Sequence, residues 1–383
     1  MTAEISDKFA VKRISARESV ALNVMRGGAA LLVLFEHCKN RVFGENSDFV
    51  EFGQLSVIPR LIFNLGHEAV IVFFVLSGYL VGRKLLQTQN AQEATRYFID
   101  RISRIYLVAI PAVIFSALVA AALMATLGIS FSQPDRPENC NPDLIDIVGN
   151  LVLLNKTVLP TICSNSPFWS IQNEMTYYVF FGVVFMTLYV WKSVRAKIAG
   201  FGIAALIVGL MAFEPLNPNN TILYSGFWLA GTLASMESRK SYLGLVCLGL
   251  TYAALLAFGV RLNGQFVIDV VIMIVIVAAV LLAGKVKLPS QISLPAKRLS
   301  DISFSLYLFH MPVVNALVSI FIYFGIEPGH FSIKVFSGWF IIFCYATAAI
   351  IFSILMYVCF ESRTNDVRKW LLGHLGKVRL AYA

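Results

Sequence analysis

The chain has 383 residues, of which 58% are hydrophobic and only 14% charged, and its net charge is +9. Soluble globular proteins are typically about one quarter charged, so the composition excludes an ordinary soluble domain. The basic residues lie in small groups between long apolar runs, which is typical of a membrane protein and argues against a nucleic-acid partner. We therefore predict an all-α fold, a polytopic transmembrane helical bundle.

Ten apolar runs approach or reach the roughly 17–25 residues that a helix needs to cross a bilayer. They lie near 20–38, 61–82, 103–127, 168–190, 198–213, 222–236, 241–259, 266–283, 302–324 and 333–358. No small-residue cleavage site follows the first run, so we expect the first helix to remain in the protein. The predicted transmembrane domain covers 20–358, between tails at 1–19 and 359–383.

The distribution of basic residues predicts the orientation of the bundle. One set of segments comprises the N-terminal tail, 83–104, 192–197, 239–240, 285–298 and 363–379. This set carries 23 lysines and arginines, against seven in the segments on the other side. Because cytoplasmic segments are enriched in these residues, we expect both termini in the cytoplasm.

The longest predicted external loop, 129–167, contains Cys140 and Cys163. Both would face an oxidising compartment, where they either form a disulfide or remain two thiols. The other four cysteines fall in or beside apolar runs and are interpreted as packing residues. No cysteine or histidine spacing indicates a metal site, and we expect none.

Arg26 and His37 lie within and at the end of the first apolar run, eleven residues apart. At 100° per residue they differ by only ~20° around a helix, and they are ~16 Å apart along its axis. One helix face therefore joins an inner cation to an outer base, a functional hypothesis because ionisable residues are costly in a membrane. The alternative is a snorkelling Arg and an interfacial His.

Two further motifs lie at the end of the second run and the start of the third. Ser77-Gly78 allows a ligand or another helix to approach closely, and packing is the plainer interpretation. Arg101 and Arg104 share a helix face and suit phosphate oxygens, although they also fit ordinary cytoplasmic positive charges.

Polar residues also occur at the start of the fourth run and within the ninth. Trp169, Ser170 and Glu174 open the fourth, where a carboxylate without a partner is strongly disfavoured. Tyr307 and His310 are three residues apart and share a face of the ninth. Tyr307 alone would also fit an interfacial aromatic.

Together these motifs resemble the membrane-bound acyltransferase-3 family, whose members move acyl groups onto cell-surface glycans. The resemblance runs from Arg26 to about Pro312 and departs at Gly66-His67-Glu68-Ala69, where Gly-Val-Asp-like segments are common. Some relatives carry an extra hydrolase-like domain, which we do not expect here. The matching residues are Arg26 and His37; Phe73, Phe74, Leu76, Ser77 and Gly78; Arg101 and Arg104; Trp169, Ser170 and Glu174; Ile302, Ser303, Ser305, Tyr307, Leu308 and His310.

The resemblance implies an O-acyltransferase that uses acyl-CoA, in particular acetyl-CoA, as a donor substrate rather than a resident cofactor. The expected acceptor is a glycan or lipid-linked sugar. The protein is expected to be surrounded by the lipid of a bacterial inner (plasma) membrane. Arg101, Arg104, Ser77 and Gly78 are the predicted acyl-CoA-binding residues.

His37 is the predicted general base, with Arg26 and Glu174 as the other catalytic residues. Glu174 or Glu36 would orient His37, and a covalent acyl-His intermediate stays open beside direct transfer. The predicted substrate pocket comprises Glu36, Trp169, Ser170, Tyr307 and His310.

The rival hypothesis is a transporter or flippase in which the intramembrane charges line a substrate or proton path. Transporters of this size often contain internal repeats, and the sequence shows none. A structural membrane protein would leave these charged residues without a purpose.

Overall fold

The computed structural model describes residues 11–44, 64–129, 140, 142–155, 157–212, 221–237, 239–257, 264–325 and 336–381. Several features named above lie outside these ranges: residues 1–10 of the N-terminal tail, the starts of the second and tenth runs, and loop residues 130–139. The helices are α1 (Ala16–Phe43), α2 (Gly66–Leu86), α3 (Ala91–Leu127), α4 (Leu144–Leu151), α5 (Trp169–Phe185), α6 (Val194–Ala212), α7 (Thr221–Ala234), α8 (Arg239–Ala257), α9 (Gly264–Leu282), α10 (Ser290–Tyr323), α11 (Phe336–Cys359) and α12 (Thr364–Ala381).

The fold is all-α, as predicted. Within the described ranges there are helices, turns and two isolated bridges, with no strand. Every one of the ten predicted apolar runs overlaps a helix. Among the residues that the structure describes, six helical segments are long and apolar enough to cross a bilayer: Ala16–Phe43, Gly66–Leu86, Ala91–Leu127, Val194–Ala212, Ser290–Tyr323 and Phe336–His374. The count of ten crossings and the cytoplasmic termini stay predictions.

Helix α6 shows how the bundle meets lipid. Its side chains Ile198, Phe201 and Leu206 are 67%, 54% and 64% exposed. Large apolar side chains so exposed along one helix would be costly in water, whereas hydrocarbon accommodates them. This surface is that of an integral membrane protein.

Helix α10 is the central element of the bundle and packs against α1, α3 and α11. On the other side of α1, helix α2 packs against α1, α7 and α9. Most side chains from Ser303 to Asn315 of α10 are buried, because helices surround that stretch. Residues of α10 therefore face α1, which carries Arg26, and α3, which carries Arg101 and Arg104.

Helices α2 and α7 approach each other at glycines. A Cβ atom at Gly78 would lie 1.8 Å from the carbonyl oxygen of Trp228, and one at Gly231 would lie 2.0 Å from that of Val75. No larger residue fits without moving a backbone, so the small-residue notch is a packing device here. A π-helical turn over Gly78–Gly82 accompanies the contact.

The far end of α3 meets a disulfide between Cys140 and Cys163, which the sequence left open. Both cysteines are buried beside Ala120. From Arg101 to Ala120 the helix rises roughly 28 Å, about the thickness of the hydrocarbon core. The disulfide and the Arg101 motif therefore lie at opposite ends of the bundle.

Candidate functional site

A cavity of about 620 Å³ enters the bundle between α1, α2, α3, α5 and α10, with α12 at its rim. This volume lies within the range of ordinary ligand pockets. Three lining residues carry carboxylates: Glu174, Asp301 and Glu361. Six lining residues are cationic: Arg26, Arg83, Lys84, Arg101, Arg104 and Arg368. The excess of positive charge favours a polyanionic ligand.

Buried arginine donors without protein partners support an anion in this cavity. Arg101 is only 5% exposed, yet its Nε has no hydrogen-bond partner among the described residues. Nη1 of Arg83 is likewise buried without a partner there. Buried donors without partners are costly, and phosphate oxygens would accept from them.

Arg101 is also held in place by its neighbours. Its guanidinium lies 6.0 Å from the ring centre of Tyr97 and 5.8 Å from that of Tyr178, in cation–π geometry. Its Nη2 is 4.0 Å from Asp100. The side chain is therefore ordered before any ligand arrives, which lowers the entropy cost of binding.

Polar groups continue from Arg101 towards the middle of the bundle. Tyr178 donates a hydrogen bond to Glu174, and its oxygen is 2.9 Å from Oγ of Ser77. Arg26 interacts electrostatically with both Glu174 and Glu361. One cavity is therefore lined by five of the predicted residues: Arg26, Ser77, Arg101, Arg104 and Glu174.

Ser170 and Tyr307 also line the cavity. The Ser170 hydroxyl is 2.8 Å from that of Tyr307, which donates to the carbonyl of Pro167 at 3.0 Å. The ring of Phe73 packs edge-on against Tyr307 with 5.6 Å between centres. A mainly apolar end with two hydroxyls suits the acyl end of a donor better than its phosphates.

His37 lies next to His310, with 5.2 Å between ring centres. Nδ1 of His310 lies 3.0 Å from the carbonyl of Leu306, so Nδ1 carries the proton. Its Nε2 is then an acceptor, and it has no partner among the described residues. The ring centres of Tyr307 and His310 are 6.0 Å apart, so the histidine pair lies just beyond the residues that line the cavity.

Glu174 and Glu36, which were expected to orient His37, form hydrogen bonds with other groups instead. Glu174 accepts from Tyr178, and Glu36 accepts from the backbone N–H of Gly66 at the start of α2. The group that the fold brings to His37 is His310.

Gly78 packs against α7 rather than lining the cavity. Trp169 stacks beside His67, with 6.4 Å between ring centres.

A second polar cluster contains residues that the sequence analysis did not select. Nε2 of His67 is 3.1 Å from Oδ2 of the buried Asp269, and Tyr224 donates to the same carboxylate. Like Glu174, Asp269 is a carboxylate within an apolar run, and this feature could have identified it from the sequence. His67 falls where the sequence departs from the acyltransferase pattern.

The charged cavity beside a histidine pair is consistent with acyl transfer, and the family comparison decides the matter. The model named Acyl_transf_3, described as an acyltransferase domain, matches residues 19–358. The chain belongs to the acyltransferase-3 family. This acyltransferase is a membrane-embedded transferase. No curated protein and no solved structure matches it.

Proposed function

We propose that this acyltransferase moves an acyl group, specifically acetyl, from acyl-CoA to a hydroxyl of a cell-surface or exported polysaccharide or glycolipid. The observation that carries the proposal is the single cavity that joins six cations to Ser170 and Tyr307, beside the His37–His310 pair. Coenzyme A is polyanionic at its nucleotide end and carries the acyl group at the other. A cavity with cations at its open end and two hydroxyls further along its lining complements that shape.

The proposed donor side is the cytoplasm, where coenzyme A occurs. Segments 83–104 and 363–379, both predicted to be cytoplasmic, contribute Arg83, Arg101 and Arg368 to the same cavity. The Cys140–Cys163 disulfide lies at the other end of α3, and disulfides persist in oxidising compartments. Both observations support cytoplasmic termini in a bacterial inner membrane and an external acceptor.

In the proposed reaction, His37 accepts the proton of the acceptor hydroxyl as the hydroxyl oxygen bonds to the thioester carbonyl carbon. The carbon–sulfur bond then breaks, and the coenzyme A thiolate leaves and takes up a proton. Two routes are open in this proposal: direct attack by the hydroxyl, or prior transfer of the acyl group to a His37 nitrogen. In both, Arg26 is the cavity cation on the same helix as His37, about 16 Å from it along the axis, so its positive charge favours the developing negative charge through space rather than by a direct hydrogen bond.

Arg101 and Arg104 are expected to act through donor affinity rather than chemistry. Arg101→Ala and Arg104→Ala should raise the KM for acetyl-CoA about tenfold or more with little change in kcat, because phosphate contacts are made equally in the ground and transition states. Arg101→Lys should be intermediate, since it keeps the charge and loses the fork of donors. Donor titrations in liposomes measure both constants.

The control for this series is Arg96→Ala, because Arg96 is exposed on the same helix and does not line the cavity. An unchanged KM for acetyl-CoA in both the Arg101 and Arg104 variants, in correctly inserted protein, would refute the phosphate-binding role.

The proposed orientation predicts that loop 129–167 is accessible from outside. A cysteine placed at Ser132, which lies outside the described residues, should react with a membrane-impermeant thiol reagent in intact cells. The background should carry alanine at the free cysteines Cys38, Cys247, Cys344 and Cys359. Labelling that requires permeabilised cells would show the opposite orientation.

A further inference from the structure

Helix α12 lies beyond the segment that the family model matches and still forms part of the cavity rim. Its residues Thr364, Asn365 and Arg368 line the cavity, together with Lys84 and Gln87 at the end of α2. Lys84, Gln87 and Asn365 are exposed, so this is the open end of the cavity. The C-terminal helix packs against α3, which carries Arg101 and Arg104.

We propose that Arg368 binds the 3′-phosphate of coenzyme A, so that α12 is one wall of the donor site. This inference rests on the function proposed above. It adds a residue and a helix that neither the motifs nor the family match includes.

Asp100 lies close to two of the arginines that line the cavity, Arg368 and Arg101. Nε of Arg368 is 2.6 Å from Oδ1 of Asp100, and Nη2 of Arg101 is 4.0 Å from its Oδ2. Arg368 also interacts electrostatically with Arg101 and Arg104. One carboxylate is set against several guanidinium groups, and like charges in proximity repel. A ligand with several negative charges would relieve that repulsion.

The arginines of the cavity differ in how exposed they are to solvent. The side chain of Arg101 is 6% exposed, whereas that of Arg368 is 22% exposed and lies on the rim helix. Coenzyme A carries its 3′-phosphate on the ribose, at the opposite end of the molecule from the thiol. With the thioester towards Ser170 and Tyr307, the pyrophosphate falls nearer Arg101 and the 3′-phosphate nearer Arg368.

Two other roles for Arg368 give different results. As a surface cation it would bind anionic lipid headgroups, which share phosphate chemistry with coenzyme A. As a structural clamp it would only hold α12 on α3 through Asp100. Coenzyme A, dephospho-coenzyme A and variants of both partners separate the three roles.

The test is calorimetric titration of the full-length protein in phosphatidylcholine nanodiscs, with coenzyme A and with dephospho-coenzyme A. We expect Arg368→Ala to weaken coenzyme A binding about tenfold or more and to leave dephospho-coenzyme A binding at the parent value. Arg368→Lys should be intermediate. Lys369→Ala is the matched control, because Lys369 is exposed and does not line the cavity.

Asp100→Asn distinguishes ligand binding from clamping. Removal of a negative charge beside the phosphate should tighten coenzyme A binding, whereas a clamp predicts that Asp100→Asn and Arg368→Ala weaken binding alike and lower the melting temperature together. That result overturns the inference. Equal losses for both ligands, or no loss with Arg368→Ala, also overturn it while leaving the donor assignment intact. A parent protein that binds neither compound contradicts the donor assignment itself.

Discussion

His37→Ala is expected to lower acyl transfer at least a hundredfold while the protein still inserts and folds, since general bases typically contribute ~10²–10⁴-fold. His37 is half-buried and lies beside His310, just beyond the Tyr307 end of the cavity. Both the direct route and the acyl-His route require its imidazole, so alanine removes either one. The measurement is incorporation of labelled acetyl groups into surface polysaccharide at matched expression.

The control for His37→Ala is His374→Ala, because His374 is exposed on α12 and contacts the ring of Trp370 rather than the cavity. We expect parent activity from this variant. Activity of His37→Ala above about a tenth of the parent value would contradict the general-base assignment.

Arg26→Ala is expected to lower kcat about tenfold, because a positive charge about 16 Å along the helix from His37 stabilises the developing negative charge by on the order of 1 kcal/mol. Arg26 is the cavity cation that interacts with both Glu174 and Glu361. Its removal also leaves these carboxylates without that positive charge inside a largely buried site, so the thermal stability of the protein should fall. Arg26→Lys keeps the charge and should restore stability but only part of the activity.

The division between kcat and KM separates Arg26 from the phosphate-binding residues. Steady-state kinetics in liposomes should show a kcat effect for Arg26→Ala and a KM effect for Arg101→Ala. An Arg26→Ala protein whose kcat stays within about threefold of the parent, with only KM changed, would place Arg26 in donor binding instead.

The helices were predictable because the bilayer imposes a length on each apolar run. Every run overlaps a helix, including the fifth at α6, whose exposed Ile198 and Phe201 face lipid. The π-helical turn at Gly78–Gly82 was not predicted; it coincides with the contact of Gly78 with Trp228, which lies on a helix distant in sequence. Local sequence contains no record of that partner.

Part of the site was equally predictable. An ionisable residue in an apolar run is costly, and this rule together with the motifs selected Arg26, Glu174 and Arg101, which meet in one cavity. The rule does not identify partners. It could not indicate that His310 rather than a carboxylate lies beside His37, or that Arg368 reaches the rim from a helix outside the motifs.

The most direct test of the proposed function is mass spectrometry of surface polysaccharides from cells that carry the parent gene, no gene, or the His37→Ala variant. We expect acetyl esters on the polysaccharide only in cells with the parent protein, at equal amounts of parent and variant in the membrane. The same acylation in all three strains would contradict the assignment of this protein as a surface-glycan O-acyltransferase.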